Sequence, residues 1–136
     1  METEHKRTSA FAPIVALLFA VALASACASG PVVIDEGLEP SELIQRAQEA
    51  SDKNKTDLAI RYYQAILDRY PDDRYSNCAA RYEIAFIQFK QKDYEMAKKG
   101  LEELLALYEE PDAELLPAQF KVLGEKILAK ILTAAK

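Results

Sequence analysis

The chain has 136 residues, enough for one ordinary domain, with two cysteines, no tryptophan and a single histidine, His5. Its formal net charge is −5 and it carries no basic stripe, which argues against nucleic acid as a partner. Beyond His5 there is no imidazole to activate a serine or cysteine nucleophile or to complete the usual Cys/His zinc sets, so no catalytic residue, metal or cofactor is expected.

Residues 1–26 read as a signal peptide. His5, Lys6 and Arg7 make a positive start, and Phe11 to Ala22 is almost wholly apolar. That run is short for a permanent span, which needs about 20 apolar residues. An uncleaved N-terminal anchor is the alternative. Ala24-Ser25-Ala26 satisfies the small-x-small rule for ordinary signal cleavage. Leu23-Ala24-Ser25-Ala26-Cys27 also resembles a bacterial lipobox, with leucine four residues before the cysteine where three is usual. Looser boxes of this kind are known among spirochaete lipoproteins. The resemblance implies a lipid on Cys27, which would leave Cys78 without an intrachain partner and exclude a disulfide-stapled fold. Ordinary cleavage would instead leave Cys27 bare, and a Cys27–Cys78 bridge would become conceivable.

Residues 27–39 are expected to be the lipidated N-terminus and a flexible tether. Ala28 to Glu39 holds two glycines and a proline and has no helical period. Extended, it would hold the domain up to roughly 40 Å from the anchor.

From residue 40 to 136 the pattern is helical, and no strand signal appears. Polar breaks at Asn54–Thr56, Pro71–Ser76, Gln91–Asp93 and Glu109–Asp112 divide it. They predict five helices, near 40–53, 57–70, 77–91, 94–109 and 113–134. Thr56, Ser76, Asp93 and Asp112 are the expected N-caps. Pro117 is expected to mark the true first turn of the last helix, or a kink in it.

The segments repeat. Ala59, Tyr63, Ile66 and Tyr70 fall over Ala97, Leu101, Leu104 and Tyr108, each 38 residues on. Ala47 and Ala85 are 38 apart, and Ala85 and Gly124 are 39 apart. Small residues at these points let paired helices approach closely. This pattern resembles the tetratricopeptide repeat (TPR), whose first helix follows Trp-x2-Leu-Gly-x2-Tyr and whose second follows Ala-x3-Phe…Pro. Leu43, Ala47, Ala59, Tyr63 and Pro71 match it in the first copy. Ile84-Ala85, Ala97 and Leu101 match it in the second, and Phe120-x2-Leu123-Gly124-x2-Ile127 in a third that lacks its second helix. The resemblance implies an all-α fold, a short TPR-like solenoid of about five antiparallel helices: two full repeats and a terminal helix. The 38-residue step exceeds the family's usual period of about 34 residues, and the extra residues fall in Arg69–Ala85. This longer step is similar to the repeat in envelope proteins of diderm bacteria, such as the repeat lipoprotein of the β-barrel assembly machinery and the periplasmic cell-division coordinator of the Tol system.

The family's inner, concave face holds extended or helical peptides. Carried over, its positions are Ile44, Gln48 and Asp52, then Tyr82, Phe86, Phe89 and Lys90, then Lys121, Glu125 and Leu128. Tyr82, Phe86 and Phe89 share one helical face, either as partner anchors or as packing between first helices. Leu128, Ile131 and Leu132 on the last helix would either cap the array or form an apolar docking or homodimer surface. Cys78 reads as a small packing residue. The expected function is a scaffold that holds an envelope protein or peptide segment. A lipid would fix it to a membrane, and Ala28 and Ser29 lack the aspartate that often retains lipoproteins at the inner membrane. The periplasmic side of the outer membrane is therefore expected. The alternative is an accessory to a periplasmic solute-binding or transport system, which would need a closed pocket with converging polar groups.

Overall fold

The computed structural model describes residues 32–134. The signal peptide and Cys27 lie outside the described residues. Among the described residues, five α-helices follow one another: α1 Pro40–Asp52, α2 Thr56–Arg69, α3 Arg74–Lys90, α4 Tyr94–Ala106 and α5 Ala118–Ala134. Two 3-10 turns, Leu107–Glu109 and Ala113–Leu115, join α4 to α5, and the described residues contain no strand. Each helix packs on the next, and the first helices α1, α3 and α5 also lie side by side. This is the all-α, TPR-like stack expected from the repeat.

Burial follows the helical period. Helix α1 buries Leu43, Ala47 and Ala50; α2 buries Ala59, Tyr63 and Ile66; α4 buries Ala97, Leu101 and Leu104; α5 buries Phe120, Gly124, Ile127 and Ile131. Steps of three and four residues put each set on one stripe. Helix α3 differs because it is central. Its Ala80 and Ile87 join a first core with Leu43, Tyr63 and Ile66. Its Cys78, Tyr82 and Ala85 join a second with Leu101, Leu104, Phe120 and Ile127. Each fully buried leucine or isoleucine contributes about 1.5–3 kcal/mol over leaving it exposed. The ion pairs add little by comparison. Arg74–Asp112 at 3.2 Å, Lys98–Glu102 at 3.8 Å and Lys99–Glu103 at 3.9 Å are all solvated.

The turns repeat with the helices. After α1, Asn54 adopts φ 55°, with the Asn54 N–H donating to Ser51 O and the Lys55 N–H to Ala50 O. After α3, Lys92 adopts φ 65°, with the Lys92 N–H donating to Phe89 O and the Asp93 N–H to Gln88 O. The two turns stand 38 residues apart, the same step as the side-chain pattern. Asparagine tolerates the left-handed region; lysine there costs about 1–2 kcal/mol.

Several expected details shift. Asp93 caps α4, its Oδ1 accepting from the Met96 N–H. Ser76 does not cap α3; Asp73 does, its Oδ1 accepting from the Ser76 N–H at 2.9 Å, so the helix starts earlier. Thr56 begins α2 from inside, and its Oγ1 accepts instead from Gln91 Nε2 at 2.8 Å. Asp112 makes no cap and pairs with Arg74. The last helix starts at Ala118 rather than 113, because Leu116, before Pro117, is extended with ψ 146°.

The residues expected to form the end of the tether are docked instead. Leu38 is buried in the first core, and Ile34 packs on it. Arg69 Nη1 donates to Asp35 O at 2.7 Å, and the Tyr70 hydroxyl donates to Leu38 O at 2.8 Å. The Glu39 N–H donates to Glu42 Oε2 at 3.0 Å, one half of a capping box that opens α1 behind Pro40. Residues 34–39 therefore belong to the folded body.

Candidate functional site

Between α1 and α3 runs a groove of about 510 Å³. Its exposed rim carries Gln48, Asp52 and Asn54 on one side and Lys90 and Gln91 on the other. Phe86 and Ile87 form its apolar wall. The floor comes from α2: Tyr63, only 2 % exposed, reaches up between the two first helices. Glu83 stands beside it on α3. The hydrogen bond from Gln91 to Thr56 ties the rim to the start of α2.

Electrostatics mark the same floor. Burial pushes the Glu83 carboxyl above its ordinary value. Burial raises the Tyr63 phenol too, and the charges of Glu83 and Asp52 raise it further. Both shifts have the physical cause one expects where water is partly excluded and no cation stands close. Cys78 is 1 % exposed, and burial raises its thiol despite help from Tyr108 and Arg81. It stays protonated and packs as a small apolar group. Among the described residues, no three His, Cys, Asp or Glu side chains gather where they could hold a metal ion.

Of the positions expected on the concave face, Gln48, Asp52, Phe86 and Lys90 come together in the groove. Ile44 is half-buried against the first core. Tyr82 is 8 % exposed and leans the other way, 6.1 Å from the Phe120 ring. It also stacks on Phe86 at 5.8 Å. Phe89 stacks on Phe86 at 6.4 Å and meets Tyr94 at 5.8 Å, outside the groove lining. The expected aromatic stripe is thus largely packing, with Phe86 alone turned to the groove.

The α5 positions do not join it. Lys121 places its Nζ 5.9 Å from the centre of the Tyr108 ring, in the 3-10 turn that follows α4. Glu125 is exposed and Leu128 half-buried against the second core. The reason is rotation: Phe120, not Lys121, occupies the α5 position that meets α3, and each residue turns about 100° from the last. At the open end the set divides. Ile131 is buried in the second core, and Leu132 is 49 % exposed.

Sequence reasoning missed the floor. Tyr63 entered only as a repeat position, and Glu83 was not singled out. The signal was present: Glu83, Phe86, Ile87 and Lys90 recur at three, four and seven residues on one face of α3.

Comparison with known proteins agrees with this architecture. The tetratricopeptide repeat model matches residues 43–73 and 79–110. An uncharacterised protein of Treponema pallidum (strain Nichols) is 36 % identical over 119 residues, covering 85 % of this chain and 48 % of that protein. The chain thus spans about half the length of that relative. No solved structure matches the chain. The helix pairs at 43–73 and 79–110 are therefore tetratricopeptide repeats, and α5 extends their stack by one helix.

Proposed function

We propose that this chain is a membrane-anchored adaptor of a bacterial envelope that holds a segment of a protein partner in the α1–α3 groove. The groove carries the reading. It lies between first helices, its rim is exposed along both sides, and its wall is apolar with polar groups at the floor. An open trough of this kind suits an extended chain segment better than an enclosed small solute. Repeats of this class generally serve protein–protein contact and carry no chemistry of their own.

Anchoring rests on the leader and on the Leu23–Cys27 box. With Ile34 already part of the folded body, six residues lie between it and Cys27, a span of seven residue steps. They reach about 25 Å when extended. The adaptor would work close to its membrane, on the periplasmic face of the outer membrane by the absence of aspartate after Cys27.

The test has two arms. Cells fed an alkyne fatty acid should label the wild-type chain and not Cys27→Ser. Crosslinking in intact cells should recover a defined envelope protein with the wild type and lose it with Gln48→Ala/Phe86→Ala, once circular dichroism shows that the variant folds. A partner retained by that variant moves docking away from the groove. Recovery of no protein in either case removes the adaptor reading.

A further inference from the structure

The groove floor presents a hydroxyl to the open side of the groove. Tyr63 is 2 % exposed as a whole and lines the groove, and since no buried side-chain oxygen among the described residues lacks a partner, its hydroxyl is the part that reaches the groove's solvent. The other tyrosines that reach the backbone behave differently: Tyr70 donates to Leu38 O at 2.8 Å and Tyr108 to Pro117 O at 2.7 Å. Those two hydroxyls are satisfied inside the fold, whereas that of Tyr63 is left to water or to a bound group. Glu83 beside it is half-buried and, among the described residues, pairs with no cation. Asp52 closes the far side, near enough for its charge to act on the Tyr63 phenol. Two carboxylates and a phenol thus line the same groove, Asp52 exposed and Glu83 half-buried.

Resting on the reading that the groove takes a partner segment, we propose that it selects a segment carrying an arginine or lysine, whose charged end sits between Glu83 and Asp52 above the Tyr63 hydroxyl. The chemistry fits in three places. The carboxylates and the phenol oxygen accept the N–H donors that only a basic side chain supplies in number. The aliphatic stem lies along Phe86 and Ile87, as long basic side chains do on apolar surface. The charged end passes the Phe86 ring, whose face attracts cations. Lys90, two turns along α3 from Glu83 and so about 10 Å away, is the groove's own cation. It marks the opposite end and sets the direction in which a segment with one basic residue lies. The raised carboxyl of Glu83 agrees: its charge is held away from water without compensation, and a bound cation would supply it.

The full-length chain in detergent micelles is titrated with the peptide acetyl-Ala-Leu-Ala-Arg-Ala-Leu-Ala-amide. Two others carry citrulline or glutamate in place of the arginine. Nuclear magnetic resonance follows the side-chain signals of Tyr63, Glu83 and Phe86. The arginine peptide should move all three and bind at least about tenfold more tightly than the citrulline peptide, the scale of one hydrogen bond to a charged group. Glu83→Gln keeps the size of the side chain and should erase that preference while leaving the circular dichroism spectrum unchanged. Equal binding of all three peptides overturns the charge preference and leaves the docking groove standing. Tightest binding of the glutamate peptide overturns it in favour of Lys90. If no peptide moves the groove signals, the preference falls, and the crosslinking arm decides whether the adaptor reading falls with it.

Discussion

The stack presents two gaps between neighbouring first helices, and they are built differently. The gap between α1 and α3 is open, about 510 Å³, with Tyr63, Glu83 and Asp52 at its floor and far wall. The gap between α3 and α5 is filled. Phe120 is buried there, with Tyr82 6.1 Å and Tyr75 5.5 Å away, ring centre to ring centre. Both gaps follow from one repeat plan with nearly the same step. What differs is the side chain each first helix turns toward its neighbour. Gln48 of α1 is exposed at the rim, whereas Phe120 of α5 drives into the gap. Helix pairing sets where a groove can exist, and side-chain volume at two or three positions sets whether it does.

The largest expected effect is on the filled gap. Phe120→Ala removes a buried ring and should cost about 3–5 kcal/mol, read as a shift of the urea midpoint. Phe86→Ala at the open groove should cost only about 1 kcal/mol, since that ring is half-buried and part of its wall is already solvent. Equal costs would mean that the open gap is closed in solution, and the comparison would fail.

The helices on either side of the second core differ in tightness too. A Cβ on Gly124 would meet Leu104, Leu105 and Leu101 at 3.6–3.7 Å, ordinary contact distance. A Cβ on Gly100 would stand 3.2 Å from the Ala85 Cβ. Gly124→Ala should therefore raise stability by about 1 kcal/mol through lower unfolded-state entropy and better helix propensity. Gly100→Ala should gain nothing, because the crowding offsets the same advantage. Matched thermal melts of the two variants check this. A stabilised Gly100→Ala would show that α3 and α4 have slack.

Lys92 and Asn54 allow a similar contrast between equivalent turns. Lys92→Gly should stabilise by about 0.5–1 kcal/mol by relieving its positive φ, and Asn54→Gly by only a few tenths. Guanidinium unfolding of both variants would show whether the two turns carry different strain.

The repeat plan was legible in the sequence because it is written in periodicity. The step from Ala59 to Ala97 and the stripes of α1, α2 and α4 depend only on residue spacing. Ends were less legible. Asp73 and Ser76 are both good caps, and the choice depends on where the backbone leaves helical geometry. Ala113 to Leu116 looks helical by composition, yet Pro117 forces the residue before it to be extended. The site was half legible. Gln48, Asp52, Phe86 and Lys90 follow from repeat positions, but the family pattern assigned Lys121 to a face that α5 gives to Phe120. Tyr63 and Glu83 escaped because their meeting involves α2 and α3 together, and a single helix's period does not report which side chains converge across helices. Docking of Ile34 to Leu38 escaped for the same reason: its partners, Arg69 and Tyr70, lie over thirty residues on.

The smallest expected effect is the most informative about the open groove. Burial raises the folded-state pKa of Glu83. Between the ordinary carboxylate range and that raised value, the folded chain binds more protons than the unfolded one. Stability from this site is thus fully present at low pH and declines as pH rises through that window. Glu83→Gln removes the ionisation and should be slightly more stable than wild type near pH 7, with the difference fading as pH falls below about 4 and the wild-type carboxyl becomes protonated in both states. Thermal melts of both proteins across that range measure it. A variant less stable than wild type near pH 7 would mean that the carboxylate already has a partner inside the fold. Lys90 is the groove cation on the same helix and would be the first to examine. The floor would then be internally neutralised, and the reason for it to select a basic side chain would disappear. A variant more stable near pH 7 would mean that the chain keeps an acid at the groove floor at a cost to its own stability, as a site that awaits a cation would.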